Sequence, residues 1–114
     1  MSHDTLIAKL NNGPVDFAEV IGHIDQYYDF SPTRFRNGEQ VNEAGSNNGS
    51  CKIFAFAQLH QLSPQATLNA FGDFYTVEVL QQPEADNHGN IRNFIRSGWA
   101  GVHFDGEALT PKTS

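Results

Sequence analysis

The stretch NEAGSNNGSCKIFAFAQL, residues 42–59, decides the fold. A polar Asn/Gly/Ser loop runs to Ser50. Beyond it Ile53, Phe54, Ala55, Phe56, Ala57, Leu59 and Leu62 leave almost no polar face. A helix that is apolar all round has to be buried all round, so this segment is expected to be the central helix, capped by Ser50. Cys51, the single cysteine, then stands at the helix mouth, where unpaired N–H groups and the positive end of the dipole favour a thiolate. The same position suits a small side chain that only fills a gap.

Working outward, the N-terminal side reads as two helices. Asp4 is placed to cap the first, with Leu6, Ile7 and Leu10 on one side and Asn12-Gly13-Pro14 as its stop. In the second, Asp16 caps, Glu19 sits three residues on, and Val15 and Val20 have the spacing of a hydrophobic staple. Phe17, Val20, Ile21, Ile24, Tyr27 and Tyr28 repeat at helical spacing until Pro32. Thr33 to Phe35 reads as extended, and Asn37-Gly38 as a two-residue hairpin turn leading to Gln40 and Val41.

On the C-terminal side, Ser63-Pro64 restarts the chain as cap and first-turn proline. Leu68, Phe71, Tyr75 and Val79 keep helical spacing toward Gln82, with a bend or short strand marked by Gly72 and Thr76-Val77. Asp86 is expected to cap a fifth helix that turns Ile91, Phe94 and Ile95 inward and stops at Gly98. Trp99 to Phe104 reads as a strand able to pair with the hairpin, and the tail after Leu109 as loose. The expectation is one α+β domain spanning 1–114, mostly helical, with about five helices and a small antiparallel hairpin or sheet, its core near 15–109. Trp99, Phe54 and Phe71 are expected in that core.

Charge and cysteine usage narrow the function. With 114 residues, a net charge of −6 and only seven Lys and Arg, the chain lacks the basic footprint that nucleic acid or an anionic membrane surface requires. Arg34, Arg36, Arg92 and Arg96 suit internal ion pairs or an acidic partner. One cysteine makes no internal disulfide and no structural zinc site, which points to a reducing, cytoplasmic setting. The N-terminus lacks a secretory pattern, and no window reaches the ~18 apolar residues of a spanning helix.

Four segments together, YDFSPTRFRNG, NEAGSNNGSCKIFAFAQL, LSPQATLNAFGDFYTVEVL and NIRNFIRSGWAGVHFDGEAL, resemble the HopJ type III effector family, over about Phe17 to Leu109. The resemblance implies delivery into a host plant cell through a type III secretion apparatus. It implies no reaction, cofactor or catalytic residue.

The residues themselves allow three functions. The first is a small interaction module without catalysis, whose partner is a cytoplasmic or host protein. The second is a cysteine-dependent hydrolase or acyltransferase, for which GSCKIFAFA resembles the Gly-Ser-Cys start of the papain helix. It requires Cys51 to pair with His88 or His103, with Asp86 or Asp105 orienting the base and a loop Asn or N–H facing an oxyanion. The third is an anion or small-ligand binder using Asn42, Asn47, Asn48, Gly49, Ser50 and Lys52. The spacing is not that of a nucleotide-binding phosphate loop. His23, His60, His88 and His103 are scattered with no metal-ligand spacing, so no metal and no cofactor are expected, although His3 at the third position suits copper through a free terminus.

Overall fold

The computed structural model describes residues 3–85 and 87–112. Helix α1 (His3–Asn12) and helix α2 (Phe17–Tyr27) lead into strands β1 (Tyr28–Phe30), β2 (Phe35–Asn37) and β3 (Gln40–Asn42). Helices α3 (Asn48–Leu59), α4 (Pro64–Asn69), α5 (Asp73–Thr76) and α6 (Gly89–Ser97) follow. A 3₁₀ turn (Gly98–Gly101) and strands β4 (Val102–Phe104) and β5 (Leu109–Pro111) complete the chain. The architecture is α+β and mostly helical.

Helix α3 occupies the middle, as its apolar circumference requires: Cys51, Ile53, Phe54, Ala55, Phe56 and Ala57 are all buried. Helix α2 packs along it, and α4 and β5 also touch it, while α1 lies on α4. Phe54 is the hub, its ring centroid 5.1 Å from Phe94, 5.5 Å from Phe71, 6.1 Å from Phe35 and 6.3 Å from Trp99. Burying each such phenyl side chain stabilises the fold by ~1.5–3 kcal/mol. Val15 and Val20 are both buried, as the staple spacing implies.

Two small antiparallel sheets flank this core. One pairs β1 with β5; the other has the order β3-β2-β4. The hairpin forms with Asn37 opposite Gln40, so its two loop residues are Gly38 and Glu39, one position later than expected. Gly38 takes the positive φ of 61° that this tight turn demands. Strand β4 pairs with β2, Phe104 opposite Phe35, and their rings stack at 5.0 Å.

Several expectations need correction. Helix α2 ends at Tyr27, not at Pro32, because Tyr28–Phe30 is drawn into pairing with β5. Residues after Leu109 are therefore not loose: Ala108 and Leu109 are buried and 109–111 form a strand; residues 113 and 114 lie outside the described residues. The long run from Pro64 bends at Gly72, as expected, into two short helices, so that the described residues hold six α-helices where about five were expected. Trp99 is half-buried in the 3₁₀ turn, its indole N–H donating to the Leu62 carbonyl at 2.9 Å, and only 102–104 are strand. Ile95 faces outward. Asp4 lies within α1, not before it, and Asp86, the expected cap of the fifth helix, lies outside the described residues. Gly98 does end α6, with φ of 60°.

Candidate functional site

The start of α3 shapes the site. Asn47, not Ser50, is the residue before the helix, in a left-handed conformation with φ of 53°. Asn tolerates that conformation, and the helix consequently begins three residues earlier than a Ser50 cap would place it. His88 sits in the same conformation, also at φ of 53°, immediately before α6. Neither helix start receives a side-chain cap. Their first-turn N–H groups, Asn48 to Ser50 and Gly89 to Ile91, have no acceptor within their own helices.

These two starts form opposite sides of one cleft of about 360 Å³. Asn47, Gly49 and Ser50 line it from α3, and His88, Gly89, Asn90 and Ile91 from α6. Phe17, Phe71 and Phe74 supply an aromatic wall, and Gln40 enters from β3. Both helix starts carry glycine where something lies across them. A Cβ on Gly49 would stand 2.8 Å from the Phe17 ring, and one on Gly89 would collide with the Gln40 carboxamide oxygen.

A buried carboxamide network underlies the cleft. Asn42 and Asn90 exchange side-chain hydrogen bonds, and the Asn42 oxygen also accepts from Gln40 at 2.9 Å and Asn47 at 2.7 Å. Asn37 donates to the Asn90 carbonyl at 2.7 Å. In the loop before α6, the Arg92 guanidinium donates to the carbonyls of Glu78, Pro83 and Asn87. His88 Nε2 donates to the Glu78 carboxylate at 2.7 Å, and its ring lies 5.3 Å from Phe74. With Nε2 as the donor, Nδ1 is the lone-pair nitrogen of the neutral ring.

The sequence-derived candidates therefore divide. Asn47, Gly49, Ser50 and His88 meet in the cleft; Asn42 is buried beneath it, and Asn48 is exposed at the first position of α3. Lys52 is committed elsewhere: it pairs with Asp25 at 2.7 Å and lies over the Phe30 ring. His103 is exposed on β4 opposite Arg36, and Asp105 pairs with Arg34 at 2.9 Å.

Cys51 is not at the helix mouth. It is the fourth residue of α3, its N–H already bonded to the Asn47 carbonyl, and it is 1% exposed. The thiol donates to the Thr33 carbonyl at 3.7 Å, and burial pushes its pKa above the ordinary value. Among the described residues no hydrogen bond joins it to a histidine. A nucleophile needs the opposite electrostatics, a thiolate favoured by a nearby positive charge.

Sequence reading missed Gln40, Asn37 and Asn90, since each resembles an ordinary turn or cap residue. The DNHGN run with its left-handed-tolerant residues was the one available signal for the second helix start. Among the described residues, no group of three or more His, Cys, Asp or Glu is placed to hold a metal ion. No described helix is long and apolar enough to cross a membrane.

With this geometry in hand, comparison with known proteins gives two matches. A family model described as HopJ type III effector protein matches residues 3–109. A solved structure described as the crystal structure of unknown function protein VPA0580 is 45% identical, with a TM-score of 0.94, covering 98% of this chain and 95% of that one. No curated protein matches.

Proposed function

Taking as premise that the chain belongs to the HopJ type III effector family, whose name states no reaction, we propose that it acts by binding, through the cleft between the starts of α3 and α6. The supporting observation is the convergence of two uncapped helix starts on one cleft with an aromatic wall. The aromatic side chains of Phe17, Phe71 and Phe74 along the cleft suit a planar apolar group. The N–H groups, Ser50 and the carboxamides of Gln40 and Asn47 suit an acceptor such as a carboxylate or carbonyl on its edge. A volume of about 360 Å³ is at the small end of ligand sites. The ligand class is therefore a small ring-bearing molecule with an acceptor group.

Benzoate, benzamide and inorganic phosphate are the probes that test this. Amide chemical shifts of 47–51 and 89–91 should move with benzoate at about millimolar affinity, as expected for a fragment of its size. Benzamide should bind more weakly and phosphate, lacking a ring, more weakly still. Gly49→Val should abolish the benzoate response by filling the cleft mouth. Shifts that are absent, or spread over the whole surface, would refute the reading.

A second reading keeps the domain a protein-interaction module working through a different face. Leu80 and Ile95 are exposed and line a groove of about 440 Å³ that also holds Arg92 and Arg96. An apolar surface edged by arginine suits a partner with apolar and acidic side chains. Pull-downs with wild type and Ile95→Glu test it: partners lost with the variant support this face, and partners kept by both exclude it.

A further inference from the structure

Far from the cleft, three histidines distant in sequence meet around one tyrosine. His3 lies in the first turn of α1, His23 on α2, Tyr28 at the start of β1 and His60 at the end of α3. His3 Nδ1 is 2.8 Å from His23 Nε2, and His3 Nε2 is 3.4 Å from the Tyr28 hydroxyl. That hydroxyl is 2.8 Å from His60 Nε2. The His3 ring also stacks on Tyr28 at 5.4 Å and stands edge-on to Tyr27 and Phe56 at 5.2 Å and 5.8 Å.

We propose that His3, His23, Tyr28 and His60 form a proton-sensitive clasp, which holds the first turn of α1 against α2 and α3 near neutral pH and releases it on acidification.

Counting protons shows why. With every imidazole neutral, the chain His23–His3–Tyr28–His60 can be satisfied in either direction, each inner group donating once and accepting once. One added proton is also accommodated: a charged His3 donates from both nitrogens, to His23 and to the tyrosine oxygen. Two are not. If His23 and His60 are both charged, each can only donate; His3 then accepts from His23 and donates to Tyr28, whose oxygen must accept from His3 and His60 together, so its own hydroxyl proton is left with no acceptor within the clasp. The hydroxyl proton is stranded, and two cations face one another across rings centred 5.0 Å and 4.8 Å from that of His3.

The surroundings fit a site that resists double charging. Burial first, and then the neighbouring imidazoles, lower the pKa of His23; burial and then His3 lower that of His60. The groups facing the clasp are His3 and Asp4 from α1, His23 and Tyr27 from α2, Tyr28 from β1, and Phe56 and His60 from α3. Asp4 favours charge on His60 and so opposes release there, without reversing the lowering by burial and His3, and no such opposing charge acts on His23. Release uncovers the ring faces of Tyr28 and Phe56. The rest of α1 stays anchored by buried Leu6 and Leu10, by the Lys9–Glu19 pair and by Asn69 donating to the Leu10 carbonyl.

Amide hydrogen exchange of the full chain, corrected for the intrinsic pH dependence and referenced to α3, tests the clasp. Between about pH 7.5 and pH 5, residues 7 and 8, whose amides bond the first-turn carbonyls, should lose roughly tenfold in protection, because imidazoles that charge more readily in the released form than in the clasp favour release in acid. His23→Gln with His60→Gln keeps hydrogen-bonding side chains that cannot charge, and should leave protection independent of pH. Unchanged wild-type protection, or an equal pH response in the double variant, overturns the proposal. If the double variant fails to fold, the wild-type imidazole proton shifts still decide. His23 and His60 titrating in step with the loss of protection support the clasp, and both charging while residues 7 and 8 stay protected defeats it.

Discussion

Asn42 and Asn90 hold each other by both ends, each side-chain amide donating to the other's oxygen at 3.0 Å. The pair links β3 to α6 from buried positions, 1% and 4% exposed. Truncating one member strands donors and acceptors of the other, and also of Asn37, whose oxygen already lacks a partner. Asn90→Leu is therefore expected to cost ~2–4 kcal/mol, the desolvation of several orphaned amide groups exceeding any gain in apolar burial. The check is the urea midpoint of the variant at constant slope. A change within about 0.5 kcal/mol would mean that the network is not closed in solution.

Cys51 should behave as a protected thiol. Its raised pKa lowers the thiolate fraction near neutrality, and burial closes off approach, so both effects act in the same direction. Iodoacetamide should label it more than about a hundredfold slower than a model thiol at pH 8, with the rate rising as pH increases or as urea unfolds the chain. Labelling faster than the model thiol at neutral pH would restore the nucleophile reading.

What the sequence made legible was local. The apolar circumference of 53–57, the Pro64 start, the Gly98 stop and the hairpin around Gly38 each rest on residues within a few positions of one another. The candidate site was only half legible for the same reason. Asn47, Gly49 and Ser50 stood out by composition, but Asn42 meets Asn90 across 48 residues and Asn37 meets it across 53. Amphipathic periodicity assigns asparagine to solvent, so Asn37, Asn42, Asn69 and Asn90 could not be read as core. The histidines looked scattered because His3 meets His23 across 20 residues, and Tyr28 meets His60 across 32. Ser50 misplaced the cysteine: a good capping residue three positions inside the helix moved Cys51 from buried second turn to exposed mouth.

Phe54 tests whether the aromatic hub carries the fold. It is fully buried and meets rings from β2, α6, the 3₁₀ turn and the residues after α4. Phe54→Ala should cost ~3–5 kcal/mol through lost transfer energy and an unfilled cavity. That is a large share of the ~5–15 kcal/mol typical of a domain. The single Trp99 lies edge-on to Phe54, so its fluorescence reports the same loss directly. Phe54→Leu should recover a substantial part of it, because cores tolerate apolar replacement of similar volume.

Gly72 sets the angle between α4 and α5, and with it the placement of Phe71 and Phe74 in the cleft wall. Its φ is 55°, and a Cβ there would stand 2.8 Å from the Val15 carbonyl oxygen and 3.0 Å from the Phe17 amide nitrogen. Both neighbours are backbone, and Val15 is itself fixed by its N–H bond to the Asn69 carbonyl, so no side-chain rotation relieves the contact. Gly72→Ala should therefore destabilise by ~1–3 kcal/mol, combining left-handed strain with the clash. Because the clash pushes Phe17 and Phe71 apart, the variant should also weaken benzoate binding more than Gly13→Ala, whose added Cβ meets nothing within 4 Å. Thermal unfolding and benzoate titration of the two variants side by side make the comparison. Equal behaviour of the pair would show that the α4–α5 bend does not position the cleft.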